Sequence, residues 1–571
     1  MDDGLLQNIQ SKAREWLSEN YDIDTRTKVQ ALLDNPDPTE LIDAFYRNLE
    51  FGTGGLRGVM GVGTNRMNIY TVAAATQGLA NYLKRQFKQL PTICVVIGYD
   101  CRNNSQLFAQ TVADIFSANG IHVYLFDDLR PTPEISFAIR TLGCQSGVII
   151  TASHNPKEYN GFKTYWDDGA QIVPPHDTLI IEEVNNIRLA DINFRSRPDL
   201  IHTLGKEIDD EYIHRVSSLS LSPTLIRRHS NMKIVYTPIH GTGVYLVPNT
   251  LAAFGFTNII HVPKQDVVSG DFPTVVSPNP EDPKALELAI QRAKETDADL
   301  VLATDPDGDR IAAAVKDNDD KWIVLNGNQA AILFTWYILE RRRSLKNLRK
   351  TNYFVKTIVT SEIIRKIAEK NGVRIFDVFT GFKWIGDVMR RYEHSRVYLG
   401  GGEESFGFLW EDFVRDKDGV SAAALYAEVA AWAKHHRLTL YQLLQRIYVN
   451  FGYSKEVGIS LVRKGKAGAE EITQLMKSYR SNPPLEIAGS RVIQIKDYTL
   501  LFPDMPSSTS NVIQYFTENG TKISVRPSGT EPKIKFYIEI HTKIYSVDDI
   551  PDAETEALNQ INHIRHFFSI D

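Results

Sequence analysis

Short apolar runs rich in valine and isoleucine alternate along most of the chain with longer stretches whose apolar positions recur at helical spacing. The run Ile93-Cys94-Val95-Val96-Ile97-Gly98 predicts a buried strand, followed by a helix over 105–119, a strand over 122–126, a helix around 134–140 and a strand over 147–150. The same order returns as strand 233–236, helix 245–254, strand 258–262, helix 283–296 and strand 300–303. A third round reads strand 353–359, helix 361–371, strand 374–378 and strand 396–399. Alternation of this kind predicts parallel α/β sheets covered on both faces, and its repetition suggests an internal triplication. Beyond a bridging segment around 437–454 the pattern changes to strands at 491–495, 511–516, 522–525 and 533–540, then a helix after Asp552, which reads as a separate α+β domain. Residues 1–48 read as polar helix with Leu6, Ile9, Trp16 and Leu17 at helical spacing, a packing arm.

Composition narrows the class. With 571 residues, 43% hydrophobic and 23% charged, the chain has ample apolar surface for folded domains, roughly four by length. The longest apolar run, 330–339, is interrupted by Thr335 and ends at Glu340 and three arginines, too short to span a bilayer. Met1-Asp2-Asp3-Gly4 has neither a basic nor an apolar leader segment. Three cysteines (Cys94, Cys101 and Cys144) form no metal-ligand spacing and no disulfide framework, so a reducing cytoplasm is expected. A net charge of −6 argues against a general nucleic-acid binder.

The most unusual polar segments directly follow predicted strands, where α/β sheets gather their ligands. Asp305-Pro306-Asp307-Gly308-Asp309-Arg310 sets three carboxylates at alternate positions, a pattern that can converge on a hard divalent cation. It is not an EF-hand, because Arg310 and Lys316 stand where that loop needs Gly and Glu. A charged turn is the plain alternative. Ser153 lies in Thr151-Ala152-Ser153-His154-Asn155-Pro156, which lacks the G-x-S-x-G of a hydrolase elbow. A turn or cap serine is the bland reading; a phosphoryl-carrying serine, neutralised by a cation on the acid loop, unites the two segments. In Arg526-Pro527-Ser528-Gly529-Thr530-Glu531-Pro532-Lys533, arginine and hydroxyls suit a phosphate. Glu403-Glu404-Ser405, after Gly400-Gly401-Gly402, suits sugar hydroxyls, with an acidic surface loop as the alternative. Gly52-Thr53-Gly54-Gly55-Leu56-Arg57-Gly58 is not a dinucleotide fingerprint and reads as a flexible loop presenting Arg57; no Walker A motif occurs.

Together these segments resemble the α-D-phosphohexomutases, the phosphoglucomutase/phosphomannomutase family, over about residues 51–537 in the family's order. Gly54-Gly55-Leu56-Arg57-Gly58, Tyr159-Asn160-Gly161-Phe162-Lys163 and Thr380-Gly381-Phe382-Lys383 add to the likeness. The resemblance implies three similar α/β/α domains with mixed sheets plus a C-terminal α+β domain around a central active-site cleft, divided as 1–205, 206–320, 321–445 and 446–571. It implies a phosphoserine at Ser153, with Ser153, Asp305, Asp307 and Asp309 as ligands of Mg²⁺. Arg57, Lys163 and Arg310 would surround the transferring phosphoryl group, with Lys163 moving the hydroxyl's proton and His154 supporting the serine. Glu403, Ser405 and Lys383 would grip the sugar, and Arg526, Ser528, Gly529 and Thr530 its other phosphate. The expected activity is interconversion of glucose 1-phosphate and glucose 6-phosphate through glucose 1,6-bisphosphate, with phosphomannomutase or phosphopentomutase activity as the alternative. Sugar phosphates are the expected partners, with no nucleic acid and no membrane, in a cytoplasmic monomer or weak homodimer.

Overall fold

A computed structural model describes residues 3–52, 55–463, 465–506, 508–528 and 533–570. The chain divides into two units, one formed by Met1–Leu219, Asn231–Ile311 and Phe413–Ala424, the other by Ser220–Ser230, Ala312–Asp412 and Leu425–Asp571.

In the first unit the strands are β1 (Gly55–Val59), β2 (Cys94–Tyr99), β3 (His122–Phe126), β4 (Ser146–Ile150), β5 (Tyr159–Trp166) and β6 (Ile201–Leu204). They form one sheet in the order β1-β5-β4-β2-β3-β6. The β4, β2, β3 and β6 neighbours are parallel, whereas β5 runs antiparallel to both β4 and β1, so the sheet is mixed. Alternation across the pleat explains the two covered faces. Val95, Ile97 and Val148 join the core formed with the helices Ile69–Gln86 and Ser105–Ala118. On the other face Gly98 and Gly147 admit the helix Thr132–Leu142 so closely that added Cβ atoms would meet Ile135 at 2.2 Å and Ile139 at 2.3 Å. The N-terminal arm forms helices Asp3–Glu15, Ile23–Asp34 and Thr39–Phe45, with Ile9, Trp16, Val29 and Phe45 packed on Tyr70. A second parallel set, β7 (Ile234–Thr237), β8 (Ile259–His261) and β9 (Leu300–Thr304), places β7 between β8 and β9.

The chain crosses into the second unit within β10 (Ile311–Lys316), which pairs antiparallel with β11 (Trp322–Leu325). Next come β12 (Asn352–Thr357), β13 (Arg374–Val378), β14 (Val397–Gly402) and β15 (Phe408–Trp410), in the order β13-β12-β14-β15. The β14–β15 pair is antiparallel. The last sheet comprises β16 (Tyr453–Val462), β17 (Glu486–Ile487), β18 (Ser490–Asp497), β19 (Ile513–Thr517), β20 (Lys522–Pro527) and β21 (Lys533–Thr542). It runs antiparallel throughout in the order β16-β21-β20-β19-β18-β17. Helix Ile550–Phe568 packs on it through Phe568 against Tyr515 and Phe536.

The fold class is thus α/β with mixed sheets and a C-terminal α+β part. Three local expectations change. Arg57 lies on strand β1, not in a loop; Gly400–Gly402 are the end of β14; and the bridge over 437–454 is the helix Leu440–Phe451 running into β16. In the first two cases glycines conceal a strand held by pairing with its neighbours. The three cysteines are free, and no helix among the described residues is long and apolar enough to cross a membrane.

Candidate active site

The first unit brings two loops together. Beyond β4 the backbone turns sharply, and Ser153 takes φ 52°, a left-handed conformation uncommon for a residue with a side chain. Thr151 Oγ1 accepts the Ser153 N–H at 2.8 Å while donating to Asp100 at 2.6 Å. Ser153, only 4% exposed, donates from Oγ to Asp305 Oδ2 at 2.9 Å. The serine and the acid loop, 152 positions apart, share one site.

The acid loop leaves β9 and turns at Gly308, whose φ of 65° suits glycine. Asp305, Asp307 and Asp309 are all buried, and each offers an oxygen within 4.8 Å of the others. Thr132, at the start of its helix, holds Asp307 twice: its N–H donates to the carbonyl at 2.8 Å and its hydroxyl to Oδ2 at 2.9 Å. The Arg310 N–H donates to Asp305 Oδ1 at 3.0 Å. Asp307 Oδ1 and Asp309 Oδ1 are buried carboxylate oxygens with no hydrogen-bond partner among the described residues. Two unmatched oxygens in a cluster of three buried acids fit a hard divalent cation. Burial and the repulsion of Asp307 and Asp309 hold the Asp305 carboxyl well above the usual carboxylate range. For Asp307 burial pulls the same way, but the charge and hydrogen bond of Lys163 outweigh it and hold that carboxyl low.

Strand pairing delivers the cations. In the β1–β5 register Gly55 faces Lys163 and Arg57 faces Gly161, which sets both cations on one face of the sheet, each opposite a glycine. Neither glycine tolerates a side chain: a Cβ would meet Phe162 O at 1.7 Å from Gly55, and Thr151 O at 2.5 Å from Gly161. Lys163 Nζ donates to Asp307 Oδ2 at 2.6 Å and to Asp309 Oδ2 at 3.2 Å. Burial alone would lower its pKa, but these two carboxylates raise it, so the amine is protonated. Arg57, exposed on β1, donates to Asn155 Oδ1 at 3.3 Å, and Arg310 pairs with Glu281 at 2.5 Å. His154 Nδ1 lies 3.2 Å from Ser153 Oγ. Burial, then Arg310 and Arg57, push its imidazole down to about 2, so it stands neutral beside the serine.

Sequence reasoning missed a second lysine. Lys417 Nζ lies 3.2 Å from Asp309 Oδ2, and its neighbour Asp416 accepts from Tyr165 and Gln171, each at 2.7 Å. The signal for it was Arg415-Asp416-Lys417-Asp418, a dense alternation of charge just before a strongly apolar helix.

The remaining candidates lie in the second unit. Glu403 accepts the Gly381 N–H at 2.9 Å, and Glu404 accepts from Thr357 at 3.2 Å. Ser405 is half-buried between them and Phe406. Lys383 opens its helix, with Nζ 4.7 Å from the Trp384 ring centre. Arg526 is the penultimate residue of β20; burial and then Glu404 raise the phenol of Tyr537, and Arg526 opposes them with its charge and a hydrogen bond. The charges of Arg526 and of Glu404 and Glu403 therefore all bear on one tyrosine. The Ser528 N–H donates to Lys533 O at 2.7 Å, while Gly529 and Thr530 lie outside the described residues.

Comparison with known proteins bears on the whole chain. Four family signatures match: phosphoglucomutase/phosphomannomutase alpha/beta/alpha domain I at residues 48–191, domain II at 210–318, domain III at 326–451 and the C-terminal domain at 462–557. A human protein named phosphopentomutase is 34% identical over 589 residues, spanning 98% of this chain and 96% of its own. A phosphoglucomutase of Staphylococcus aureus strain N315 is 37% identical over 522 residues, covering 89% of this chain and 92% of its own. Among solved structures, the open form of parafusin, a phosphoglucomutase from Paramecium, superposes with a TM-score of 0.67 at 19% identity, covering 91% of this chain and 96% of that one. That likeness speaks for the fold; the matched domains and the two relatives show that the chain belongs to the phosphoglucomutase/phosphomannomutase family.

Proposed function

We propose that this protein interconverts glucose 1-phosphate and glucose 6-phosphate, carrying a phosphoryl group on Ser153 and passing through glucose 1,6-bisphosphate. One observation carries the reading: a buried serine hydroxyl 2.9 Å from Asp305, in a nest of acids that has its own cations. Phosphoryl transfer asks a protein for alignment and charge neutralisation rather than covalent work. Ser153 supplies the one covalent step. The bond from its Oγ to phosphorus breaks as a sugar hydroxyl bonds to phosphorus, and the other phosphate later returns to Oγ. Lys163, which Asp307 and Asp309 keep protonated, gives that proton to Ser153 Oγ as the bond to phosphorus breaks and takes the sugar hydroxyl's proton in its place. Arg57 and Arg310 neutralise the transferring group. His154, being neutral, supports the Ser153 hydroxyl as a hydrogen-bond partner. Asp305, Asp307 and Asp309, with an oxygen on Ser153, would hold Mg²⁺, which would offset negative charge on the phosphoryl group. Glu403 and Ser405 bind sugar hydroxyls with Lys383 nearby, and Arg526, Ser528, Gly529 and Thr530 bind the phosphate that is not reacting.

Replacing Ser153 by Ala should cut isomerisation roughly 10⁴-fold or more and abolish phosphoryl uptake from glucose 1,6-bisphosphate. Isomerase activity that survives the substitution would remove the phosphoserine mechanism. Release of inorganic phosphate in place of an isomer would mark a phosphatase instead. A second reading, phosphopentomutase, is favoured by the human relative of that name, which aligns over 98% of the chain. One panel separates them: kcat/KM for glucose, mannose, N-acetylglucosamine and ribose 1-phosphates, with Mg²⁺ and a trace of bisphosphate. A ribose value above the glucose value would overturn the glucose assignment.

A further inference from the structure

Arg102, just past the end of β2, is 3% exposed, yet its guanidinium faces backbone. One terminal nitrogen donates to Pro156 O at 2.9 Å and Tyr159 O at 3.0 Å; the other donates to Ser153 O at 2.6 Å and to Asn155 O. Four carbonyls, from Ser153 to Tyr159 at the start of β5, thus converge on one planar cation. The Ser153 carbonyl is buried and needs such a partner, and arginine offers enough donors in a fixed fork to gather all four.

The charge is balanced by Asp100, whose Oδ2 lies 3.4 Å from Arg102 Nε. Asp100 Oδ1 accepts the Arg102 N–H at 2.9 Å and the Ser105 hydroxyl at 2.7 Å, and Oδ2 accepts the Thr151 hydroxyl at 2.6 Å. Because Thr151 also takes the Ser153 N–H, one carboxylate braces both flanks of the serine: its N–H through Thr151 and its C=O through Arg102. Phe272 closes the far side, its ring centre 5.1 Å from the guanidinium carbon. Between the two braces sits the positive φ of Ser153, which a side-chain-bearing residue keeps only when its surroundings over-determine it.

We propose that Arg102 is the positioning residue of the Ser153 loop, holding the serine in its left-handed conformation so that the hydroxyl points at Asp305. The proposal rests on Ser153 being the phosphoryl carrier. It predicts a defect in the chemical step and not in sugar binding, since misplacing a reacting atom by about 1 Å costs roughly 10²-fold.

The test uses the full-length protein with Mg²⁺ and glucose 1,6-bisphosphate. Phosphoryl uptake is followed by intact mass, kcat and KM by steady-state kinetics, and folding by circular dichroism and melting. Folded Arg102→Met should lose roughly 100-fold in uptake rate and in kcat while KM stays within about twofold. Arg102→Lys, which keeps the charge without the fork, should recover little of this, and Thr151→Val should move kcat the same way. Wild-type uptake and kcat in Arg102→Met, or a change confined to KM, would overturn the inference. Should Arg102→Met fail to fold, Arg102→Lys and Thr151→Val decide on the same criteria. If the wild-type protein itself takes up no phosphoryl group, the phosphoserine reading falls; if wild type and variants take it up equally fast, only the role of Arg102 does.

Discussion

At Asp307 a single carboxylate answers to several partners. Lys163 and Thr132 occupy Oδ2, while Oδ1 is left without a hydrogen bond. Asp307→Asn keeps the shape, removes the charge and leaves Lys163 with Asp309 as its remaining partner. Mg²⁺ affinity should fall at least ~10-fold, and the rise in melting temperature that Mg²⁺ gives the wild type should shrink accordingly. An unchanged Mg²⁺ titration in the variant would exclude Asp307 from the cation site. The acids were legible in the sequence because alternate carboxylates after a strand are rarely a bare turn. Arg102 and Lys417 were not, because each acts on a loop remote in sequence, and the charge alternation around Lys417 does not say which loop it serves. His154 adjoins the serine, but burial and then Arg310 and Arg57 hold its imidazole neutral with little appetite for a proton.

Between elements, pairing explains what local patterns conceal. The strand–helix rounds were readable because buried parallel strands are continuous apolar runs. β1 and β5 were not, because both carry glycine opposite a cation, and glycine lowers strand propensity while permitting close approach. A different pairing sets a pH dependence. In the β16–β21 register Glu456 stands directly across from Glu539. Burial and then Glu539 raise the Glu456 carboxyl to about 7, although Ser454 donates to it at 2.6 Å. The folded chain thus holds a proton there that the unfolded chain releases near pH 4.5, the ordinary value. Stability should fall as pH rises from about 4.5 to about 7. Denaturant melts across that window should show the decline in the wild type and a flatter profile in Glu456→Gln; parallel profiles would refute it.

Across the whole molecule the chain does not finish one unit before starting the other. It leaves the first unit after Leu219, returns at Asn231, leaves again after Ile311, and comes back for Phe413–Ala424. That last visit carries Asp416 and Lys417, and it seats Gly419 so close to the acid loop that an added Cβ would meet Gly308 O at 2.6 Å. Length and composition could suggest several domains, but not that a dozen residues so far downstream complete the site of the first unit. A gene interrupted between codons 310 and 413 would still encode the serine and all three aspartates. Its product should nonetheless be inert, because Lys417, the second lysine on Asp309 beside Lys163, would never be translated.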